Sequence, residues 1–387
     1  MEMLTTDLPK LRIKGRVLLP IVQGGMGVGV SAHRLAGSVA RQGAVGTVSS
    51  VDLRRHHDDL MARTHKSGDK ALIDAANIEA LDREICAALA LADGHGLVAV
   101  NVMRAVSEYA HYVQQSCKSG AQAIVVGAGL PLDLPDLTVN YPDVALIPIL
   151  SDARGIAVLL RKWMRKNRLP DAIVIEHPRY AGGHLGAAKI DDLKDPRFDF
   201  ENVLPETLKL FDQLGIEPIP LICAGGIGTP ERVRELIGLG ASGVQLGTPF
   251  AVTEEGDAHI NFKKVLAEAK PEDIVEFMSN AGLPARAVRT PWLDTYLKKL
   301  SIHTARAKIR QCTFKFDCLE ACGFRDGVSK IGQFCIDQRL SLAVKGDVRN
   351  GLFFRGAGKL PFGAEIRPVR DLIAFLLGHL VVSPSTP

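Results

Sequence analysis

The chain has 387 residues, 47% of them hydrophobic, which is enough to bury the core of an ordinary enzyme and excludes a disordered tail or a fibre. Its 47 basic and 43 acidic side chains leave a net charge of only +4, evenly spread, so no nucleic acid partner is expected. No charge-free stretch reaches the ~20 mostly apolar residues of a spanning helix, and the acidic start at Glu2 and Asp7 is unlike an export signal; a cytoplasmic protein with no membrane partner is expected.

Apolar runs of strand length occur at 17–22, 44–49, 97–103, 123–127, 145–150, 172–176, 220–224 and 243–246. Most are continuous rather than alternating, the pattern of strands covered on both faces in a parallel sheet. Between them, 31–41, 73–91, 105–116, 152–166, 205–214 and 230–239 place apolar residues three or four apart, as helices do. Only 130–143, with three prolines, lacks this spacing and reads as a turn or one short helical piece. Eight strand and crossover units over roughly 250 residues predict an α/β fold, a (β/α)8 TIM barrel, in preference to a doubly wound open sheet. A last helix is expected at 255–269. The barrel is therefore assigned to 1–270, and 271–387, rich in aromatics, cysteines and glycines but without regular strands, to a C-terminal extension packed on it.

In such a barrel the loops after the strand C-termini make the reactive face. Three are unusual. The first holds Gln23, Gly24, Gly25, Met26 and Gly27, where glycines let backbone N–H groups approach a flat or anionic ligand, or simply turn the chain. The second is a pair of loops: Cys223 to Pro230, including Gly225 and Gly226, and Gly243 to Phe250, including Gln245, Leu246, Gly247 and Thr248. Thr229 and Pro230 suit a helix start, whose free N–H groups favour an anion, and these are the loops that hold phosphate in many barrels. The third runs from Glu176 to Gly186 and carries His177, Gly182, Gly183 and His184. An imidazole there can move a proton or stabilise negative charge.

Together these loops resemble the nitronate monooxygenase family, formerly the 2-nitropropane dioxygenases, on four motifs in the right order: Pro20 to Met26, Ala181 to His184, Ala224 to Ile227 and Gln245 to Thr248. The resemblance implies an FMN-dependent oxidoreductase with noncovalent FMN at the barrel mouth. Gly24, Gly25 and Met26 would then follow the ring edge, with Asn101, Gly182 and Gly183 near the ring. Gly225, Gly226, Gln245, Leu246, Gly247 and Thr248 would surround the phosphate, and His184 stands where the family has its catalytic histidine. The implied reaction converts an alkyl nitronate to a carbonyl compound and nitrite, the reduced flavin passing electrons to O2. The alternative is an NAD(P)H-dependent flavin reductase acting on a quinone or an enoyl thioester. Many relatives carry glutamine and glutamate where this chain has His177 and Tyr180, which leaves the role of His177 and the shape of the substrate pocket open.

The extension adds Cys312, Cys318, Cys322 and Cys335, four thiols within 24 residues. They suffice for an iron–sulfur cluster or a tetrahedral zinc, although the spacing lacks the paired C-x2-C of a zinc ribbon, and plain core cysteines are the third reading. The run from Gly351 to Gly356 is expected to pack on the barrel mouth, with Arg355 either a surface charge or an anion contact. A nucleotide dehydrogenase with similar phosphate loops would need a loop cysteine after the sixth strand, and none occurs from Lys118 to Ile222. A non-catalytic metal module would leave the three loops unexplained. Oligomeric state is not legible.

Overall fold

A computed structural model describes residues 4–308, 312 and 318–379; the remainder of the expected extension and the first three residues lie outside the described residues. A hairpin of β1 (Leu11–Ile13) and β2 (Arg16–Leu18) comes first. The barrel strands follow: β3 (Ile21–Gln23), β4 (Val45–Ser49), β5 (Leu97–Met103), β6 (Ala123–Gly127), β7 (Ala145–Leu150) and β8 (Ile173–Glu176). After β9 (Gly183–His184), β10 (Leu221–Ala224) and β11 (Gly243–Leu246) complete it. These eight strands pair in parallel, β11 returning to β3 to close the barrel.

The closed barrel agrees with the sequence reading and excludes the open sheet. Its strands are apolar throughout because both faces are buried. Val98, Val100 and Val102 face the helical layer, whereas Leu97, Ala99, Val125 and Val174 fill the interior. One expected element splits. The run 17–22 forms the end of the hairpin and then, beyond Pro20, the short strand β3, since proline has no N–H for a ladder. Leu11, Ile13 and Leu18 plug the interior from below. Lys14 and Gly15, both at positive φ, make the tight turn between β1 and β2.

The helices fall where the spacing placed them, with shifted ends. The helix expected from 73 starts at Lys70 because the Asp69 side chain accepts from Ala71 and Leu72 N–H. The one expected from 205 runs Phe200–Leu214, with Pro205 inside it rather than at its start. Residues 130–143 contain one short helix, Leu134–Leu137. Among the described residues no helix is long and apolar enough to cross a membrane.

The extension departs from expectation by containing strands. β12 (Ile274–Met278) and β13 (Pro284–Val288) form an antiparallel hairpin, and β13 pairs in turn with β9, placing Ala285 opposite His184. Phe277, Ala285, Leu293, Phe334 and Leu372 join the same buried core as the outer layer of the barrel.

Candidate active site

The strand C-termini open on a cavity of about 280 Å³. Gly24, Gly25, Met26, Gly182, Gly183, His184, Gly225, Gly226, Gln245, Leu246, Gly247 and Thr248 all line it, so the fold gathers loops separated by more than 200 residues. Asn101 does not line the cavity. It stands behind Gly25, where a Cβ on that glycine would come within 2.2 Å of the Asn101 Cβ.

Each glycine loop is fixed by identifiable bonds. Gly24 N–H donates to the Leu246 carbonyl at 2.9 Å, which joins the first loop to the last strand. Buried Gln23 clamps Thr47 from both sides, accepting its N–H at 2.7 Å and donating to its carbonyl at 3.1 Å. Gly226, at φ +73°, passes so close to the Tyr180 ring that a Cβ would lie 2.8 Å from it. Thr229 caps the following helix, Pro230–Gly238, through Arg232 N–H at 3.2 Å, as expected.

At this end the extension crosses the mouth. Phe354, Gly356, Gly358 and Lys359 line the cavity, Gly356 N–H donates to Thr248 Oγ1 at 3.1 Å, and Ala357 N–H donates to the Tyr180 carbonyl at 3.0 Å. A Cβ on Gly182 would meet the Arg355–Gly356 backbone at 2.6 Å. Arg355 itself is neither a surface charge nor a cavity residue. It is buried, and its guanidinium donates to the carbonyls of Leu266 (2.8 Å), Gly356 (2.7 Å) and Gly358 (3.3 Å), which pins the crossing segment. Exposed Lys359 is the sole lysine or arginine among the lining residues; its backbone carbonyl faces Gly228, and Gly358 before it lies against Gly226. A cradle in which Gly25, Gly182 and Gly226 leave no room for a Cβ, with one lysine among its lining residues, fits a flat ring carrying an anionic tail.

His184 reaches the cavity from β9. Its Nε2 is 3.0 Å from Ser279 Oγ, at the tip of the β12–β13 hairpin. Burial pushes its pKa down to about 4, so the ring is neutral at physiological pH. Buried Arg286, on β13, holds the preceding loop: it pairs with Glu276 at 2.6 Å and donates to the carbonyls of Pro178 (3.2 Å) and Ala181. Neither Ser279 nor Arg286 was picked out from the sequence, because each acts through a hairpin whose strands carry no long apolar run.

His177 does not line the cavity. Strand alternation turns it outward, where Arg179 N–H donates to its Nδ1 at 3.3 Å and its Nε2 faces Asp199 at 3.1 Å. Burial lowers its pKa against the pull of Asp199, and the ring packs edge-on to Phe200. The same alternation turns Glu176 inward, onto the cavity wall and level with Ala224. Burial alone raises its carboxyl pKa to about 7. A strand-end carboxyl beside a histidine was visible in the sequence, but only the strand register tells which of the two faces inward.

Among the described residues, no group of three or more His, Cys, Asp or Glu side chains is arranged to hold a metal ion. None of the cysteines is in a disulfide, and Cys318 lies on the cavity wall.

A closed parallel barrel whose last two loops suit an anion, with a neutral imidazole on the wall of a glycine-lined cavity, is the architecture of barrel oxidoreductases that bind a flavin nucleotide. Residues 10–378 match the nitronate monooxygenase family model, and the chain belongs to that family of FMN-dependent oxidoreductases. A probable nitronate monooxygenase of Staphylococcus saprophyticus is 26% identical over 175 residues, 44% of this chain and 47% of that protein. The chain spans less than half the length of the curated relatives it matches. Among solved structures, FabK from Thermotoga maritima superposes with a TM-score of 0.62 at 21% identity, covering 93% of this chain and 92% of that one. Nitroalkane oxidase from Streptomyces ansochromogenes gives 0.62 at 18% identity, covering 93% and 95%. At these identities the likeness is one of fold.

Proposed function

We propose that the chain oxidises alkyl nitronates, with O2 as electron acceptor, to a carbonyl compound and nitrite. The observation that carries this reading is His184, a neutral imidazole on the wall of the glycine-lined cavity, with one nitrogen held by Ser279 and no hydrogen-bond partner for the other among the described residues. FMN, when bound, supplies the redox chemistry. The glycines at 24, 25, 182 and 183 admit its ring. The loops at 225–226 and 245–248, with Lys359, hold its phosphate. His184 orients the nitronate by hydrogen bonding to its charged oxygens, and the apolar wall of Met26, Leu246 and Phe354 excludes water.

Anaerobic mixing tests the reading. Adding a nitronate should bleach the flavin absorption, and readmitting O2 should restore it with release of nitrite. Bleaching by NADH or NADPH with no response to nitronate would overturn it in favour of a reductase acting on a quinone or an enoyl thioester. Tyr180, in place of the glutamate common in relatives, packs under Gly226 and lines the cavity, so the substrate range is expected to differ from theirs.

A further inference from the structure

The cavity has two unlike ends. In the strand order around the barrel β5 stands across from β10, so the loops after β4 and β5 lie on the far arc of the mouth from Gly225 and Gly226. The wall of that arc is apolar: Val51 comes just after β4, Met103 ends β5, and buried Val106 follows it.

The extension closes over the same arc. Glu320 N–H donates to the Ala105 carbonyl at 2.8 Å, the Glu320 carboxylate pairs with Arg104 at 2.8 Å, and Asp337 pairs with Arg55 at 2.7 Å. Anchored in this way, the extension adds Leu319, Ile336 and Leu340 to the wall. The last two are four residues apart on the helix Ile336–Val344 and therefore share a face.

This end also adjoins His184. Gly332 N–H donates to the Ser279 carbonyl at 2.9 Å and Gly323 N–H to the Asn280 carbonyl at 2.7 Å, so the segment that carries the apolar wall is bonded to the residue whose hydroxyl meets the imidazole. A substrate whose head lies at His184 has this wall within reach of its tail.

Among the described residues no cation serves the apolar end. Lys359 belongs to the strap that runs against Gly226 and Gly228, after β10. Arg55 does not line the cavity, and both Asp52 and Asp337 engage it. The charged side chain on this stretch of wall is a carboxylate, Asp337.

We propose that this end holds the hydrocarbon tail of the substrate, and that the chain prefers long, uncharged primary alkyl nitronates to short ones and to those whose tail ends in a carboxylate. Each methylene that leaves water for the wall strengthens binding. An anionic tail loses its hydration there and gains no cation in return. The choice of nitronate rests on the proposed oxidation; the preference of the pocket for an uncharged chain does not.

Two measurements on the holoenzyme test this. In steady-state turnover of the primary nitronates from ethyl to hexyl, kcat/KM should rise roughly threefold per methylene, and the hexyl compound should exceed a six-carbon nitronate ending in a carboxylate by about tenfold or more. Leu340→Asn should lower the hexyl-to-ethyl ratio about fivefold, whereas Val139→Ser, exposed on the outside of the barrel, should leave it unchanged. The second measurement needs no turnover. Straight-chain carboxylates carry the charge and the two planar oxygens of a nitronate, and their binding is read from the spectrum of the bound flavin. Dissociation constants should fall steadily from butyrate to octanoate, and suberate, with a carboxylate at each end, should bind about tenfold more weakly than octanoate. Nitronate turnover with a flat chain-length series, or with the carboxylate-tailed compound preferred, would overturn the pocket and leave the oxidation standing. Carboxylates that tighten with length in a protein that oxidises no nitronate would uphold the pocket and remove the oxidation. No dependence on length in either series would overturn the proposal even if the Leu340 variant fails to fold.

Discussion

The barrel and the extension build the site by different means. The barrel lines the cavity with backbone: Gly24, Gly25, Gly225 and Gly226 stand where a Cβ would be crowded or where the chain turns through positive φ. The extension works through side chains and straps, with Ser279 on His184, Arg286 under the loop before it, and Phe354 to Lys359 across the mouth. Holding a rigid planar ligand requires close backbone approach, which strand ends supply. Fixing one imidazole requires bonds from outside the barrel, because β9 is only two residues long and cannot hold itself.

If that division is right, the largest effect comes from the imidazole itself. His184→Asn should slow nitronate turnover by ~10²-fold or more while FMN stays bound; steady-state rates beside the visible spectrum check both parts. Gly25→Ala should act on the opposite term, because the new methyl collides with Asn101. We expect it to cost ~1–3 kcal/mol and to be isolated largely without flavin, as flavin content per chain would reveal. Arg286→Leu removes the buried cation that satisfies two carbonyls and Glu276. A loss of ~3 kcal/mol in denaturant unfolding is expected, only partly recovered by Arg286→Lys, whose ammonium lacks the forked geometry. An unchanged denaturation midpoint would show that the extension does not brace the loop.

The division explains what could be read in advance. The glycine loops were legible because close approach can be met only by glycine, whatever surrounds it. The barrel was legible because strands buried on both faces are apolar without interruption. The hairpin Ile274–Val288 was not, since Pro284, Arg286 and Glu276 interrupt its apolar residues and its pairing partner lies about 100 residues earlier. Arg355 was ambiguous for a related reason: a guanidinium that serves three carbonyls looks, in sequence, like one that meets an anion. The run holding Phe354 was expected at the barrel mouth, but Lys359, just beyond it, gave no signal because its place depends on how a strap without regular structure crosses the barrel.

Smaller effects sharpen the picture. Ser279→Ala should lower turnover by about fivefold, equivalent to one hydrogen bond of ~1 kcal/mol, with flavin content unaffected. Glu176 offers a pH signature. Its carboxyl is raised from 4.5 to about 7 in the folded protein, so between those values the folded chain binds more protons than the unfolded one, and stability falls as pH rises through the window. Glu176→Gln should flatten that fall in the flavin-free protein, measured as melting temperature against pH. A wild-type melting temperature that rises from pH 5 to 7 with the same slope in the variant would contradict the placement of this carboxyl on a dry wall.

The most direct measurement is a titration of the flavin-stripped chain with FMN, followed by quenching of flavin fluorescence. Saturable binding of one FMN per chain, weakened in Gly25→Ala and retained in His184→Asn, is the predicted result. A chain that is colourless as purified and takes up no FMN would contradict the account.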